Sequence, residues 1–112
     1  MQAGIVVYQC QGNQLVGQWS HETTGGALAN EIVHGVDPGP LIGDWAVEIF
    51  APGGKPYFTG RLNSSTLGSC VKLIWEGSFL DDGKSARFEG IGYASSADVL
   101  SATFEQITSP LS

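Results

Sequence analysis

The five residues LVGQW, Leu15 to Trp19, carry the pattern that decides the fold of this chain. In an extended strand, residues i, i+2 and i+4 point to the same face. Leu15, Gly17 and Trp19 therefore share one face, which alternates a large residue, a gap and a large aromatic ring. The spacing predicts a strand with an apolar inner face and with room over Gly17 for a neighbouring ring or backbone.

The same spacing, Leu-x-Gly-x-Trp, returns in LIGDW, Leu41 to Trp45. We interpret both copies as plugs that fill a core near one end of a barrel. An internal repeat about one hairpin long would explain the duplication. Coincidence is the alternative, because Leu, Gly and Trp are all common in β proteins.

Alternation of apolar and polar residues along the rest of the chain predicts about eight short strands. Turn-forming residues separate them, and connections this short favour antiparallel pairing of consecutive strands. Helix is hard to place, and its best candidate is residues 25–35, which contain several helix formers. The predicted strands run over Gly4–Cys10, Gln14–His21, Ala27–His34, Asp44–Phe50, Pro56–Asn63, Cys70–Glu76, Ala86–Ala94 and Val99–Ile107.

These strands predict an all-β fold, a single antiparallel up-and-down barrel, because closure removes exposed strand edges. A β-sandwich is the alternative. The length of 112 residues fits one domain over residues 1–112. An eight-stranded barrel has an interior that side chains just fill or that holds one small ligand. Glycines inside strands, at Gly60, Gly90 and Gly92, would permit the sharp coiling of a small barrel.

One hairpin can be assigned a register from charge. A turn centred on Asp81 and Asp82 places Glu76 opposite Arg87. A shifted turn would place Glu76 opposite Glu89, and two like charges facing each other are unfavourable. The sequence therefore predicts a cross-strand pair between Glu76 and Arg87.

Composition excludes several classes of function. The formal net charge is -6, and the five Lys and Arg residues are scattered rather than clustered. Nucleic acid and anionic membrane surfaces call for clustered basic residues, so neither is an expected partner. No apolar run is long enough for a membrane span. The start, MQAGIVVYQC, lacks the features of a signal peptide, so we expect a cytoplasmic protein. The sequence does not decide whether Cys10 and Cys70 form a disulfide or are two reduced thiols.

The Leu-x-Gly-x-Trp pattern on an early strand resembles the opening of avidin-type barrels, and Gly-x-Trp alone resembles that of lipocalins. Phe58-Thr59-Gly60 is similar to a segment of an avidin strand. Both groups are calycin-like barrels. The chain departs from them because a full strand precedes the first copy and because the motif occurs twice. The resemblance implies a barrel and the binding of a small hydrophobic ligand, without a transferable binding residue or a claim on biotin.

Polar candidates for chemistry are few. His21 and His34 lie at strand ends, and a metal site needs three or four converging ligands, so we predict neither a metal nor another cofactor. Asp44 and Glu48 share the face opposite Trp45, which is typical of the solvent side of a strand. An enzyme that uses Asp44, Glu48 or a histidine is therefore the third hypothesis, and no residue is assigned as catalytic.

The aromatic residues carry more weight, because they fall in phase with apolar neighbours and should point inward. The leading hypothesis is a non-catalytic barrel that binds a small hydrophobic or amphipathic ligand. The alternative is a structural or oligomeric interaction domain with a packed core, which would form homo-oligomers through an outer face containing Ile74, Ile91 and Tyr93. The candidate ligand-binding residues are Trp19, Trp45, Trp75, Phe88 and Phe104, with Arg61 and Tyr93 as polar residues that would orient the ligand. Arg61 has this role only if it points inward, and the favoured alternative is an outward Arg61 that is a solvated charge.

Overall fold

The structure is a computed structural model that describes residues 3–36, 42–96 and 98–107. These residues form eight strands and one short 3-10 helix, Glu22–Thr24, between the second and third strands. The strands are β1 (Gly4–Gln11), β2 (Gln14–His21), β3 (Ala29–His34), β4 (Gly43–Phe50), β5 (Pro56–Leu67), β6 (Cys70–Phe79), β7 (Ser85–Ala94) and β8 (Val99–Ile107).

The eight strands form a closed antiparallel barrel in which each strand pairs with its neighbours in the sequence and β8 returns to β1. This confirms the predicted all-β, up-and-down barrel, and the alternative β-sandwich is wrong. The short turns leave each strand next to the one that follows it. Pairing of β1 with β8 then satisfies the backbone groups that an open sheet would leave at its edges.

The predicted helix over residues 25–35 is wrong. Gly25 and Gly26 lie in the turn that follows the 3-10 helix, and β3 starts at Ala29. Within β3, Ala29, Glu31 and Val33 are buried and alternate with more exposed residues. A two-residue period fits a strand with one face in the core, and this tertiary requirement outweighs the helix propensity of single residues.

The core is built from the inward residues of every strand. Only two polar residues among the described ones are classed as buried, Glu31 and Ser64. The buried apolar side chains are Val6, Tyr8, Leu15, Trp19, Ala29, Val33, Val36, Val47, Phe58, Leu62, Leu73, Trp75, Leu100 and Ala102.

Close approach of backbones explains the glycine at position 60. Gly60 pairs with Gly77 across β5 and β6. A Cβ added at Gly60 would lie 2.1 Å from the carbonyl oxygen of Glu76, and one added at Gly77 would lie 2.1 Å from that of Thr59. Both positions therefore require glycine where the two strands coil past each other.

The predicted register of the β6–β7 hairpin is confirmed. Glu76 lies opposite Arg87, and Arg87 Nη1 is 3.7 Å from Glu76 Oε2. Arg87 Nε also donates to Glu89 Oε2 at 2.9 Å. Both residues of the cross-strand pair are exposed on the outer face.

The two copies of Leu-x-Gly-x-Trp differ in what covers their glycine. Gly17 lies under the ring of Tyr8 from β1, as the gap predicted. Gly43 lies against the ring of Trp45, two residues further along its own strand. Leu41 lies outside the described residues.

Two smaller observations complete the fold. Cys10 and Cys70 are both free thiols. Within the described part of the chain, no helix is long and apolar enough to cross a membrane.

Candidate functional site

A cavity of about 460 Å³ opens at one end of the barrel. It lies where β2, β4, β6 and β8 end and where β3, β5 and β7 begin. The 3-10 helix and the loop that contains Ala51 and Pro52 stand at its rim.

Five aromatic side chains form a closed circuit of ring contacts around this cavity. Neighbouring ring centroids are 5.2 to 6.4 Å apart, within the range of favourable aromatic pairs. Four of the five pairs are tilted or edge-on, and one is stacked. In order around the circuit, the residues are Trp19, Phe104, Phe88, Phe79 and Tyr57, which returns to Trp19.

Trp19 also holds the rim together. Its indole Nε1 donates to the carbonyl oxygen of Phe50 at 3.1 Å and to that of Asn30 at 3.2 Å. The last pair between β3 and β4 at this end is Glu31 with Ile49. The indole therefore links the two strands beyond the point where their own pairing stops.

Glu31, which lines the cavity, belongs to a row of three residues on three adjacent strands. Tyr8 lies opposite Gly17, and Gly17 lies opposite Glu31. A Cβ at Gly17 would lie only 2.7 Å from Cδ1 of Tyr8. Because Gly17 has no side chain, the tyrosine of β1 crosses β2 and reaches the glutamate of β3.

Glu31 is the chemically distinctive group of the site. It is 3% exposed, and its Oε2 accepts a hydrogen bond from the Tyr8 hydroxyl. The same oxygen accepts a hydrogen bond from Trp75 Nε1 at 3.1 Å. Trp75 Nε1 is also 3.2 Å from the Tyr8 hydroxyl oxygen, so the three polar groups form a compact cluster.

Burial raises the pKa of the Glu31 carboxyl from 4.5 to about 7, and the hydrogen bonds from Tyr8 and Trp75 oppose this rise. A carboxyl removed from water resists ionisation, whereas donors that face it favour the charged form. Burial, together with the neighbouring Glu31, raises the pKa of Tyr8 well above its ordinary value, so the phenol keeps its proton and acts as a donor.

The second oxygen of Glu31 faces the cavity. Both side-chain hydrogen bonds of Glu31 to described residues end on Oε2. Among the described residues, every fully buried side-chain oxygen or nitrogen has a hydrogen-bond partner. Oε1 therefore borders open space, and Glu31 indeed lines the cavity.

The structure brings together four of the residues predicted to bind a ligand. Trp19, Trp75, Phe88 and Phe104 all line the cavity. Trp45 is half-buried and packs against the core, but it lies towards the other end of the barrel and does not line the cavity.

Arg61 and Tyr93 must be removed from the predicted interior set. Arg61 points outward and donates from Nε to Asp44 Oδ1 at 2.8 Å. Tyr93 is 57% exposed on the outer face of β7. Strand parity decides both positions, since Arg61 alternates with the inward Leu62 and Tyr93 with the inward Gly92.

The residues of the enzyme hypothesis are mostly separated from the cavity. Asp44 and Glu48 are exposed on the outer face, and His34 Nε2 is 2.6 Å from Glu48 Oε1 there. His21 lines the cavity rim, where its Nδ1 contacts the hydroxyl of Thr23. In the described ranges, no group of three or more His, Cys, Asp or Glu residues is arranged to hold a metal ion.

Sequence reasoning missed Glu31 and Tyr8 as site residues. Both lie in phase with inward apolar neighbours, Glu31 with Ala29 and Val33, and Tyr8 with Val6. A carboxylate at an inward position of a strand is costly unless it is paired. An acidic residue at an apolar position of the alternating pattern was therefore the signal that could have identified Glu31 as a site residue.

The arrangement can hold a small molecule whose body lies against aromatic rings and whose polar group meets one buried carboxyl. Comparison of the chain with protein-family models, with curated proteins and with solved structures finds no match. The fold agrees with calycin-like barrels in general, as eight antiparallel strands in a closed up-and-down barrel.

Proposed function

We propose that this protein binds a small hydrophobic or amphipathic molecule in the cavity at the end of the barrel where β2 ends and β3 begins. The observation that carries the proposal is the 460 Å³ cavity walled by aromatic rings. Ligand sites are concave and mainly apolar, with a few polar groups that orient the ligand, and they occupy the mouths of β-barrels.

The rest of the molecule supports this role. The barrel positions the cavity walls on paired strands, so the rings need little reorganisation to accept a ligand. Buried apolar side chains from all around the barrel form the core beside the cavity. The lining of the cavity differs from that core by containing a carboxyl.

Binding of the neutral dye N-phenyl-1-naphthylamine tests the proposal, because its fluorescence rises in an apolar site. We expect saturable enhancement with one dye per chain. Ala51→Trp, at the rim of the cavity, should weaken dye binding at least about tenfold by filling the entrance. Ala94→Trp is the matched control, since Ala94 is exposed at the opposite end of the barrel, and it should leave dye binding unchanged.

Two results would overturn the proposal. One is the absence of saturable enhancement with the natural chain. The other is an equal effect of the two tryptophan substitutions, which would place the dye on the general surface. Native mass spectra of the protein purified from its own cells add an independent readout, because a bound molecule would appear as an adduct that is lost on denaturation.

A second proposal, self-association, is favoured by an uncharged patch on the outer face. Ile5 and Val7 of β1 and Ile91 and Tyr93 of β7 are 45 to 58% exposed. Between them lie Ser101 and Thr103 of β8, with Val7 and Tyr93 both opposite Ser101 and Ile5 opposite Thr103. A chain of net charge -6 repels its copies, and these six uncharged side chains are where a second copy would meet little repulsion. Lys72, which lies opposite Ile91 and pairs with Glu89, marks the margin of the patch.

The molar mass in solution tests this second proposal. Sedimentation equilibrium should give a dimer for the natural chain and a monomer for Ile5→Lys, which places a charge in the patch. Val16→Lys is the control, because Val16 lies on β2, a strand that contributes no residue to the patch. A monomer of the natural chain at every accessible concentration would refute self-association without affecting the ligand proposal.

A further inference from the structure

We infer that the ligand of this cavity is a small organic cation, a protonated amine on a flat apolar skeleton, whose ammonium group pairs with Oε1 of Glu31. This inference rests on the proposed binding function and adds the chemical class of the ligand. Three independent observations support it: the orientation of Glu31, the aromatic circuit and the charges at the site.

The first observation is the orientation of the carboxyl. Tyr8 and Trp75 both donate to Oε2 and hold the carboxyl plane in place, and Oε1 borders the cavity. A carboxylate oxygen is a hydrogen-bond acceptor and attracts positive charge. An N–H donor that carries a positive charge satisfies both properties and forms the stronger, charge-assisted hydrogen bond.

The second observation is the aromatic wall. The Trp19, Phe104, Phe88, Phe79 and Tyr57 circuit lines the cavity with aromatic rings. Ring faces attract cations, most strongly where water is excluded. The circuit would therefore compensate part of the cost of removing an ammonium group from water, and it would pack against the flat skeleton of the ligand.

The third observation is the distribution of charge. Among the described residues, the cavity lining contains Glu31 and no Lys or Arg. The β6–β7 loop at the same end carries Lys84 as well as Asp81 and Asp82. The charges of the two aspartates, after burial itself, help to raise the pKa of Tyr57 at the mouth. A carboxylate ligand would have to approach Glu31 without a basic partner, which like-charge repulsion opposes.

Protonation of Glu31 should make the affinity of the cavity for an amine depend on pH. The titratable groups that contact Glu31 or line its cavity are Tyr8, His21 and Tyr57. A cation beside Glu31 favours its ionised form, so amine binding at neutral pH should release a proton from Glu31. Affinity for an amine should fall as the solution is acidified and Glu31 takes up that proton.

Three probes with one skeleton test the inference by isothermal titration calorimetry. They are 2-(1-naphthyl)ethylamine, 2-(1-naphthyl)ethanol and 1-naphthylacetate, which are a cation, a neutral molecule and an anion. At about pH 8, where Glu31 is mostly ionised, we expect the amine to bind at least about tenfold more tightly than the alcohol. The acetate should bind most weakly.

The variant Glu31→Gln removes the charge and keeps the shape. It should weaken amine binding at least about tenfold and change alcohol binding less than about threefold. Glu48→Gln, on the outer face, is the matched control and should change neither. If Glu31→Gln does not fold, proton release on amine binding by the natural chain, measured in two buffers of different ionisation enthalpy, provides the test.

The outcomes separate the inference from the proposed function. Equal affinities for amine and alcohol, or tightest binding of the acetate, would overturn the cation inference while leaving the binding function in place. Amine binding without proton release at neutral pH would also overturn it. If none of the three probes binds, the inference fails, and the dye experiment with Ala51→Trp decides separately whether the cavity binds anything.

Discussion

The phenol hydroxyl of Tyr8 donates a hydrogen bond to Oε2 of Glu31, which lies 23 residues further along the chain and two strands away. The contact passes over Gly17, the central residue of the LVGQW stretch. A glycine in the second strand thus allows a tyrosine in the first to orient the buried carboxyl of the third. The most distinctive packing motif of the sequence and the most distinctive group of the cavity are parts of one arrangement.

Removal of the Tyr8 hydroxyl should destabilise the protein and raise the pKa of Glu31 further. In Tyr8→Phe, Oε2 keeps only the donor on Trp75, and the ionised carboxyl loses a hydrogen bond that favours it. The expected loss is about 1.5–3 kcal/mol of unfolding free energy at neutral pH, typical of a hydrogen bond to a charged group. Carboxyl chemical shifts report the pKa, and denaturant unfolding reports stability. Tyr93→Phe, at an exposed tyrosine, should change neither, and an unaltered Glu31 titration in Tyr8→Phe would contradict the assignment.

Glu31 should make the protein less stable as pH rises through neutrality. The pKa of Glu31 is about 7 in the folded chain and 4.5 without burial, so the folded state retains a proton that the unfolded state has lost. Its stabilising contribution is full below about pH 4.5 and is lost as pH rises to about 7, a difference of roughly 3 kcal/mol at 1.36 kcal/mol per pKa unit. Unfolding free energies of the natural chain and of Glu31→Gln, measured across this range, should therefore diverge by that order. Parallel curves for the two proteins would show that Glu31 titrates normally.

A methyl group at position 17 should displace Tyr8, which orients Glu31. The Cβ of Gly17→Ala would lie 2.7 Å from Cδ1 of Tyr8, so the ring has to move and the hydrogen bond to Glu31 weakens. Overpacking of this kind costs about 1–3 kcal/mol. Gln18→Ala, at the next position of the same strand and exposed, should cost little. The comparison requires only chemical denaturation, and equal stabilities of the two variants would refute the close approach of Tyr8.

The indole N–H of Trp19 should contribute to the stability of the rim in addition to the packing of the ring. Trp19→Phe leaves the carbonyl oxygens of Asn30 and Phe50 without the donor that links them, and a lost hydrogen bond of this kind costs about 0.5–1.5 kcal/mol. Trp45→Phe is the control, because the Trp45 indole has no hydrogen bond to a described residue. Hydrogen exchange should therefore speed up near Asn30 and Phe50 in Trp19→Phe and remain unchanged there in Trp45→Phe.

The surface pair Glu76–Arg87 should contribute little, although it marks the register. Both side chains are more than 40% exposed, and Arg87 keeps Glu89 as a second partner. A double-mutant cycle with Glu76→Ala and Arg87→Ala should give a coupling of about 0–1 kcal/mol. A larger coupling would mean that the pair is shielded from solvent in a way that its exposure does not indicate.

Much of the fold could be predicted from local patterns. The strand β2 runs over the predicted residues, and the other strands differ from the prediction mainly at their ends. The helix over residues 25–35 and the interior placement of Arg61 and Tyr93 are errors of assignment that involve competing local signals. For the helix, helix propensity competed with two-residue alternation. For Arg61 and Tyr93, a polar residue was assigned to the interior although the inward neighbours Leu62 and Gly92 define the parity of each strand.

The sequence by itself determined that this chain forms a closed antiparallel barrel with aromatic residues inside, because alternation and short turns act between near neighbours. Only the tertiary structure decided where the interior stays open and what lies there. Tyr8, Glu31 and Trp75 come from the first, third and sixth strands, and they meet through the curvature of the closed sheet and the missing side chain at Gly17. Residue types and spacing do not encode such convergence, since it depends on strand coiling and on side-chain volumes summed around the whole barrel.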